Sequence, residues 1–189
     1  MIIVETKQTL RTHMLKARDA LTLAEREQAA HHMMTRALSF LATLPAFNTI
    51  AGYGPIRSEI DPLALMNSLI VQGKSLALPV ITIEKLLFRR WGMHTPLLTR
   101  KWGLREPSNS EPLIDPQVLL VPLVAFDENM QRLGYGKGYY DQALSDLRAK
   151  QSVFAIGLAY ETQKTLFIPV EEHDQPLDAI ITDQAIYMS

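Results

Sequence analysis

The residues that could do chemistry gather in one run, Arg132-Leu133-Gly134-Tyr135-Gly136-Lys137-Gly138-Tyr139-Tyr140-Asp141. Three glycines at every second position let a loop backbone approach a ligand without Cβ obstruction. Lys137 places a positive charge inside that loop. The residues after it read as a helix whose N-terminus faces the same ligand. Asp141 closes the run where a divalent cation could be held. Loop, lysine, helix N-terminus and carboxylate describe a nucleotide-phosphate site with magnesium. The spacing is neither that of a P-loop nor the G-x-G-x-x-G dinucleotide fingerprint. A plain strand-to-helix turn would need one such glycine, not three with a lysine between the last two.

The remaining candidates say less by themselves. Lys7 and Arg11 lie four apart and share a helix face, which is usually a solvated surface. A cationic clamp for a triphosphate is the alternative. Glu59 follows Arg57-Ser58 in a Gly/Pro-rich segment. It reads equally as a first-turn carboxylate before the next helix or as an acceptor for an amino-bearing heterocycle. Trp91 ends a strand and belongs to the core. Trp102 either stacks on a flat ligand or packs under its loop. Asp174 lies beyond the next strand and could join Asp141 at a metal, since magnesium needs only one or two carboxylates. The five histidines show no metal-ligand spacing. No Ser-His-Asp constellation is visible. Phosphate-binding parts without a nucleophile point to phosphoryl transfer onto a bound substrate, which depends mainly on positioning and charge neutralisation.

These residues need a frame. Glu5 to Ala20 and Thr22 to about Leu41 read as helices, the second opened by a Thr22/Glu25 capping box. Thr49 to Tyr53 is a short strand. Asp61-Pro62 starts a helix and Gly73 stops it. Leu76 to Val80 and Leu86 to Trp91 are strands. Thr95 to Pro116, with four prolines, reads as a long irregular surface connection. Val118 to Val124 is the most apolar strand and should be central. Tyr139 to about Lys150 is a helix, followed by strands Val153 to Leu158 and Ala179 to Thr182. Alternating strands and helices imply an α/β fold: a mostly parallel sheet with helices on both faces, a Rossmann-like three-layer sandwich. In such sheets ligands bind at the carboxyl ends of strands, where the glycine run would fall.

The 189 residues fit a single domain, 1–189, with 47% hydrophobic and 21% charged residues. With 19 basic against 20 acidic residues the net charge is −1, so no basic excess points to nucleic acid. The absence of cysteine excludes disulfides, thiolate nucleophiles and Cys-ligated zinc. Met1 to Val4 is too short for a signal peptide, and no segment approaches the roughly 20 apolar residues of a membrane span. A cytoplasmic protein acting on small molecules is expected, with no membrane or nucleic-acid partner and as a monomer.

Taken in order, the segments resemble the 5-formyltetrahydrofolate cyclo-ligases, also called methenyltetrahydrofolate synthetases. Arg132 to Asp141 is similar to that family's signature, and Lys7-x-x-Leu10-Arg11 to its opening nucleotide-contact motif. Tyr53 to Glu59 is similar to its substrate-side segment. Trp102-Gly103-Leu104-Arg105-Glu106-Pro107 resembles its aromatic-Gly-Ile/Leu-x-x-Pro loop. Ala159-Tyr160-Glu161-Thr162-Gln163, Pro169 and His173-Asp174-x-Pro176-x-Asp178 are similar to its C-terminal pattern. Tyr135 occupies a position that varies in the family, and His173 beside Asp174 is a common variation.

The resemblance implies ATP- and Mg²⁺-dependent cyclisation of 5-formyltetrahydrofolate to 5,10-methenyltetrahydrofolate, releasing ADP and phosphate. ATP would be bound by Lys7, Arg11 and residues Arg132, Leu133, Gly134, Tyr135, Gly136, Lys137, Gly138, Tyr139 and Tyr140. Folate would contact Tyr53, Ile56, Glu59 and Trp102 as well as Tyr135, Gly136, Lys137, Gly138 and Tyr139. Lys137, Arg132 and Tyr139 would carry catalysis, and Asp141 and Asp174 the metal. Two rivals remain. Sugar-phosphate isomerases and CoA transferases use a related sheet, but they need neither the Lys7/Arg11 pair nor a glycine-loop aspartate. A non-catalytic binder would have no need to keep Lys137, Asp141 and Glu59 together.

Overall fold

The computed structural model describes residues 6–100 and 103–188. Two helices open the chain, α1 (Lys7–Asp19) and α2 (Leu23–Leu41). Thr22 caps α2 as a capping box: its hydroxyl accepts from the Glu25 amide, and its own amide donates to the Glu25 carboxylate. Strand β1 (Thr49–Ala51) leads into α3 (Leu63–Val71). Here the start signal is displaced by one residue. Asp61 accepts from the Leu63 amide at 2.8 Å, and Pro62 takes the cap position instead of the first helical one. Gly73, at φ +84°, stops the helix as expected.

Strands β2 (Ser75–Ile81) and β3 (Leu86–Trp91) follow. The stretch expected to be irregular from Thr95 to Pro116 instead contains an antiparallel hairpin, β4 (Leu97–Thr99) with β5 (Arg105–Pro107). Its prolines flank or end the pairing, as strand prolines must. Strand β6 (Val118–Pro122) stops two residues early. A further hairpin, β7 (Ala125–Phe126) with β8 (Arg132–Leu133), stands between it and the glycine loop. Asp127, fully buried, holds that turn by accepting the amides of Asn129, Gln131 and Ile168. Then come α4 (Tyr139–Arg148), β9 (Phe154–Leu158), a 3-10 turn at Glu161–Gln163, β10 (Ala179–Ile181) and β11 (Ile186–Met188).

Seven strands form one sheet in the order β11-β10-β9-β6-β1-β2-β3. The five inner strands run parallel, and β3 and β11 close the edges antiparallel. β6 is the central strand, and it is buried on both faces. Val118 and Leu120 pack with Met33, Ala37 and Phe40 of α2 and Leu65 and Leu69 of α3. Leu119 and Val121 pack on the opposite face with Leu144 and Leu147 of α4. This period-2 division explains a continuous apolar run that shows no alternation. Helices therefore cover both faces, as expected. α1 covers the β7–β8 hairpin through Leu10, Met14, Val124, Ala125 and Leu133. The chain reverses its direction of travel across the sheet between β1 and β6, and loops after such strands leave a crevice.

Candidate active site

That crevice is a cleft of about 680 Å³. Its walls come from the start of α1, the segment after β1, the ends of β2 and β3, strand β5, the glycine loop with α4, and residues Glu171, His173 and Asp174. Lys7, Arg11, Tyr53, Ile56, Glu59, Arg132, Leu133, Gly134, Tyr135, Gly136, Lys137, Gly138, Tyr139, Tyr140, Asp141 and Asp174 all line it. Trp102 lies outside the described residues.

The glycine loop is shaped by its surroundings. Gly138 sits at φ +67° as the N-cap of α4, a conformation that L side chains rarely adopt. Gly136, at φ +89°, lets Arg11 pass close by: a Cβ there would stand 3.3 Å from the guanidinium carbon. Arg11 also donates to the Gly134 carbonyl at 2.7 Å. Thus α1 is fastened to the loop, and Lys137 is left exposed in it.

Charge is arranged in pairs around this loop. Lys7 contacts Asp174 at 2.6 Å and Glu171 at 3.0 Å. Burial opposes the Lys7 charge, but hydrogen bonds to Asp174 and Glu171 override it and raise its pKa. Asp174 is likewise opposed by burial, and the Lys7 bond holds its carboxyl below the usual range. Arg132 contacts Asp141 at 2.6 Å, and the same Asp141 oxygen accepts the Gln175 amide at 3.0 Å. The Arg132 Nε is buried with no partner among the described residues. Asp141 and Asp174 thus stand on one cleft wall, each holding a cationic side chain. Glu171, His173 and Asp174 bring their ligand atoms within 4.8 Å of one another, a group that excludes Asp141. Its two carboxylates suit a hard divalent cation, and His173 offers a nitrogen beside them.

Glu59, on the segment after β1, lies beside Tyr135 of the glycine loop and is 8% exposed. Its carboxylate accepts the Ile56 amide at 2.9 Å. Burial pushes its pKa up to about 7, against the pull of the Ile56 amide, the Arg18 guanidinium and the Tyr135 hydroxyl. Tyr53, buried beneath, donates to the Ile60 carbonyl at 2.9 Å. The protonated form of Glu59 is therefore favoured by folding. The Glu59 contribution to stability is fully present below about pH 4.5, where the carboxyl is neutral in both states, and is lost as pH rises towards 7. The loss is about 3 kcal/mol. Urea unfolding between pH 5 and pH 7.5 should show this decline in the parent. Glu59→Gln should flatten it, and an equal decline in both proteins would show that other groups cause it.

Arg18 was not visible as a site residue in the sequence, where it resembles one more cation on a basic helix. It is fully buried. It donates to the Ser58 hydroxyl at 3.0 Å, the Leu123 carbonyl at 3.3 Å and the Tyr135 hydroxyl at 2.6 Å. Ser58 in turn donates to Asp19. One guanidinium thereby joins α1, the Glu59 segment, the end of β6 and the glycine loop. Arg18→Met keeps the volume but strands those three partners, so it should cost about 3 kcal/mol in denaturant unfolding. A loss under about 1 kcal/mol would mean water replaces the guanidinium without penalty. Gln163 has a similar role in the motif after β9: its amide donates to the Leu123 and Val124 carbonyls and accepts the Tyr160 amide.

A crevice at the strand reversal, lined by a glycine loop and a buried acid, places the chain among ligand-binding α/β proteins of the doubly wound kind. Comparison with known proteins makes the class specific. The 5-formyltetrahydrofolate cyclo-ligase family matches residues 3–183. A 5-formyltetrahydrofolate cyclo-ligase of Haemophilus influenzae is 37% identical over 184 residues, covering 94% of this chain and 97% of that protein. The Escherichia coli K12 cyclo-ligase is 32% identical over 177 residues, covering 90% and 96%. Among solved structures, the 5,10-methenyltetrahydrofolate synthetase of Aquifex aeolicus superposes with a TM-score of 0.80 at 29% identity, covering 96% of this chain and 92% of that one. The Mycoplasma pneumoniae synthetase gives 0.78 at 27%, covering 95% and 99%. The chain belongs to the 5-formyltetrahydrofolate cyclo-ligase family and is an enzyme of that class. No helix among the described residues is long and apolar enough to cross a membrane.

Proposed function

We propose that this enzyme uses ATP to close 5-formyltetrahydrofolate into 5,10-methenyltetrahydrofolate, releasing ADP and phosphate. The observation that carries the reading is the single cleft that joins an exposed loop lysine, two carboxylates and the buried Glu59. An amide-like formyl oxygen is a weak nucleophile and a worse leaving group. Its attack on the γ-phosphate, with ADP leaving, turns it into a phosphate ester that can depart. N10 then bonds to the formyl carbon and gives up its proton, the ring closes, and phosphate carries the oxygen away, leaving as hydrogen phosphate with that proton.

Lys137, Arg132 and the amides at the start of α4 offset negative charge on the transferring group. The buried Arg132 Nε is a donor still to be satisfied, and a phosphate oxygen would satisfy it. Lys7 and Arg11 contact the remaining phosphates from α1. Glu59 accepts donors of the pterin, with Tyr53 and Ile56 packed beside it and Tyr139 near the formyl group. Asp141 and Asp174 would hold Mg²⁺, which supplies charge neutralisation at the phosphates when bound. Lys7 would then exchange part of its contact with Asp174 for phosphate.

The test is growth of the methenyl-folate absorbance band with purified protein and 5-formyltetrahydrofolate. Growth only when ATP and Mg²⁺ are both present is expected. Growth without nucleotide would remove the phosphorylation step. No growth with nucleotide still bound would move the substrate to another compound on the same phosphate-binding frame.

A further inference from the structure

We propose that Arg57 and Arg105 form a cationic mouth that binds the carboxylates of the folate's glutamate tail. The inference rests on the folate reading above and gives a role to two residues to which the resemblance assigns none.

Burial orders the substrate half of the cleft by chemistry. Glu59 is buried. Ile56, Pro79, Ile81 and Leu104 line the same cleft half-buried and apolar. Arg57 and Arg105 also line it and are exposed. The sequence from inside to outside is therefore acid, apolar wall, guanidinium. A complementary ligand has hydrogen-bond donors at one end, a flat apolar middle and an anion at the other. A reduced pterin has amino and ring N–H donors, a benzoyl middle and a glutamate end. The phosphate-facing cations Lys7, Arg11, Arg132 and Lys137 belong to α1 and the glycine-loop region, so the two anionic ends of the reactants are received separately.

The two arginines are held beside each other. A Cβ built on Gly54 would stand 3.7 Å from the Arg105 carbonyl and 4.0 Å from the Arg105 Cβ, so β5 crosses directly against the segment that carries Arg57. Arg57 itself sits at φ +54°, a left-handed conformation uncommon for a non-glycine residue. The Ile56–Glu59 turn holds it there, with the Glu59 amide donating to the Ile56 carbonyl at 3.1 Å and the Ile56 amide donating back to the Glu59 carboxylate. Such conformations persist where the surrounding structure over-determines them, commonly at ligand clamps. Glu106, next to Arg105, is taken by Arg100 at 3.2 Å. Among the described residues neither Arg57 nor Arg105 has an ion-pair partner. Two uncommitted forks at the mouth suit a dicarboxylate tail.

The experiment compares 5-formyltetrahydrofolate with 5-formyltetrahydropteroate, which lacks only the glutamate, in the parent and in Arg57→Asn/Arg105→Thr. Asparagine tolerates the left-handed backbone and threonine the strand. The parent should bind the glutamate-bearing compound roughly tenfold or more tightly, the scale of charge-assisted hydrogen bonds. Added salt should shrink that preference. In the double variant the preference should fall below about twofold. The truncated compound is the internal control for folding and pterin binding. An undiminished preference in the double variant overturns the assignment. A parent that turns over both compounds without preference also overturns it and leaves the folate reading standing. A folded parent that binds and turns over neither removes the folate reading itself, and the tail assignment with it.

Discussion

Lys137→Ala is expected to lower kcat about 10²–10³-fold, the effect of removing one preorganised charge-stabilising donor. Its stability should stay within about 0.5 kcal/mol of the parent, because an exposed side chain with no structural contact is being removed. Lys137 is exposed and has no ion-pair partner among the described residues. It stands between Gly136 and Gly138 in a loop pinned by Arg11, so its backbone position does not depend on its own side chain. Kinetics then divide two meanings of phosphate binding. A charge matched to the transferring phosphoryl group lowers kcat and kcat/KM together, whereas a charge that only holds ATP raises KM with kcat intact. Turnover near the parent's with a raised KM for ATP would reduce Lys137 to a binding residue. Near-parental values for both would remove it from the site.

What could be read from the sequence, and what could not, follows the range of the forces involved. The Thr22/Glu25 box is a local hydrogen-bond exchange, and it forms as the residue types require. Central β6 was legible because a strand buried on both faces has to be apolar at every position. The β7–β8 hairpin was not. Its strands are two residues long, and its positive-φ position is Met130, where a glycine or asparagine would usually mark the turn, while Asn129 falls one residue too early. Asp127 supplies the missing turn chemistry by accepting three amides, one of them from Ile168, 41 residues away. The β4–β5 hairpin was hidden by its prolines. At the site, the glycine loop was visible because glycine spacing is itself the signal. Arg18 and Arg57 were hidden because their roles depend on burial and on one φ angle, which no residue type announces.

Asp141 has two roles that two substitutions separate. Its carboxylate faces an Arg132 side chain only 5% exposed, and it accepts the Gln175 amide. Asp141→Ala leaves a buried guanidinium without its counter-charge, which should cost about 3 kcal/mol. It also removes the acidic residue from the first turn of α4. A domain with ordinary stability, about 5–15 kcal/mol, remains folded after that loss, so activity can still be measured. Asp141→Asn keeps an oxygen for Gln175 and Arg132 and loses only charge, so its stability cost should be less than half as large. Both variants lose an anionic ligand for the cation. If Asp141 acts only through Arg132, activity should follow stability, and the asparagine variant should retain most of its turnover and the parent's Mg²⁺ dependence. If it holds the metal, both variants should lose turnover alike. The Mg²⁺ concentration for half-maximal activity should then rise at least tenfold in Asp141→Asn despite its near-parental unfolding midpoint. A magnesium titration of the asparagine variant therefore decides between the roles, and an unmoved midpoint would leave Asp141 as the partner of Arg132 alone.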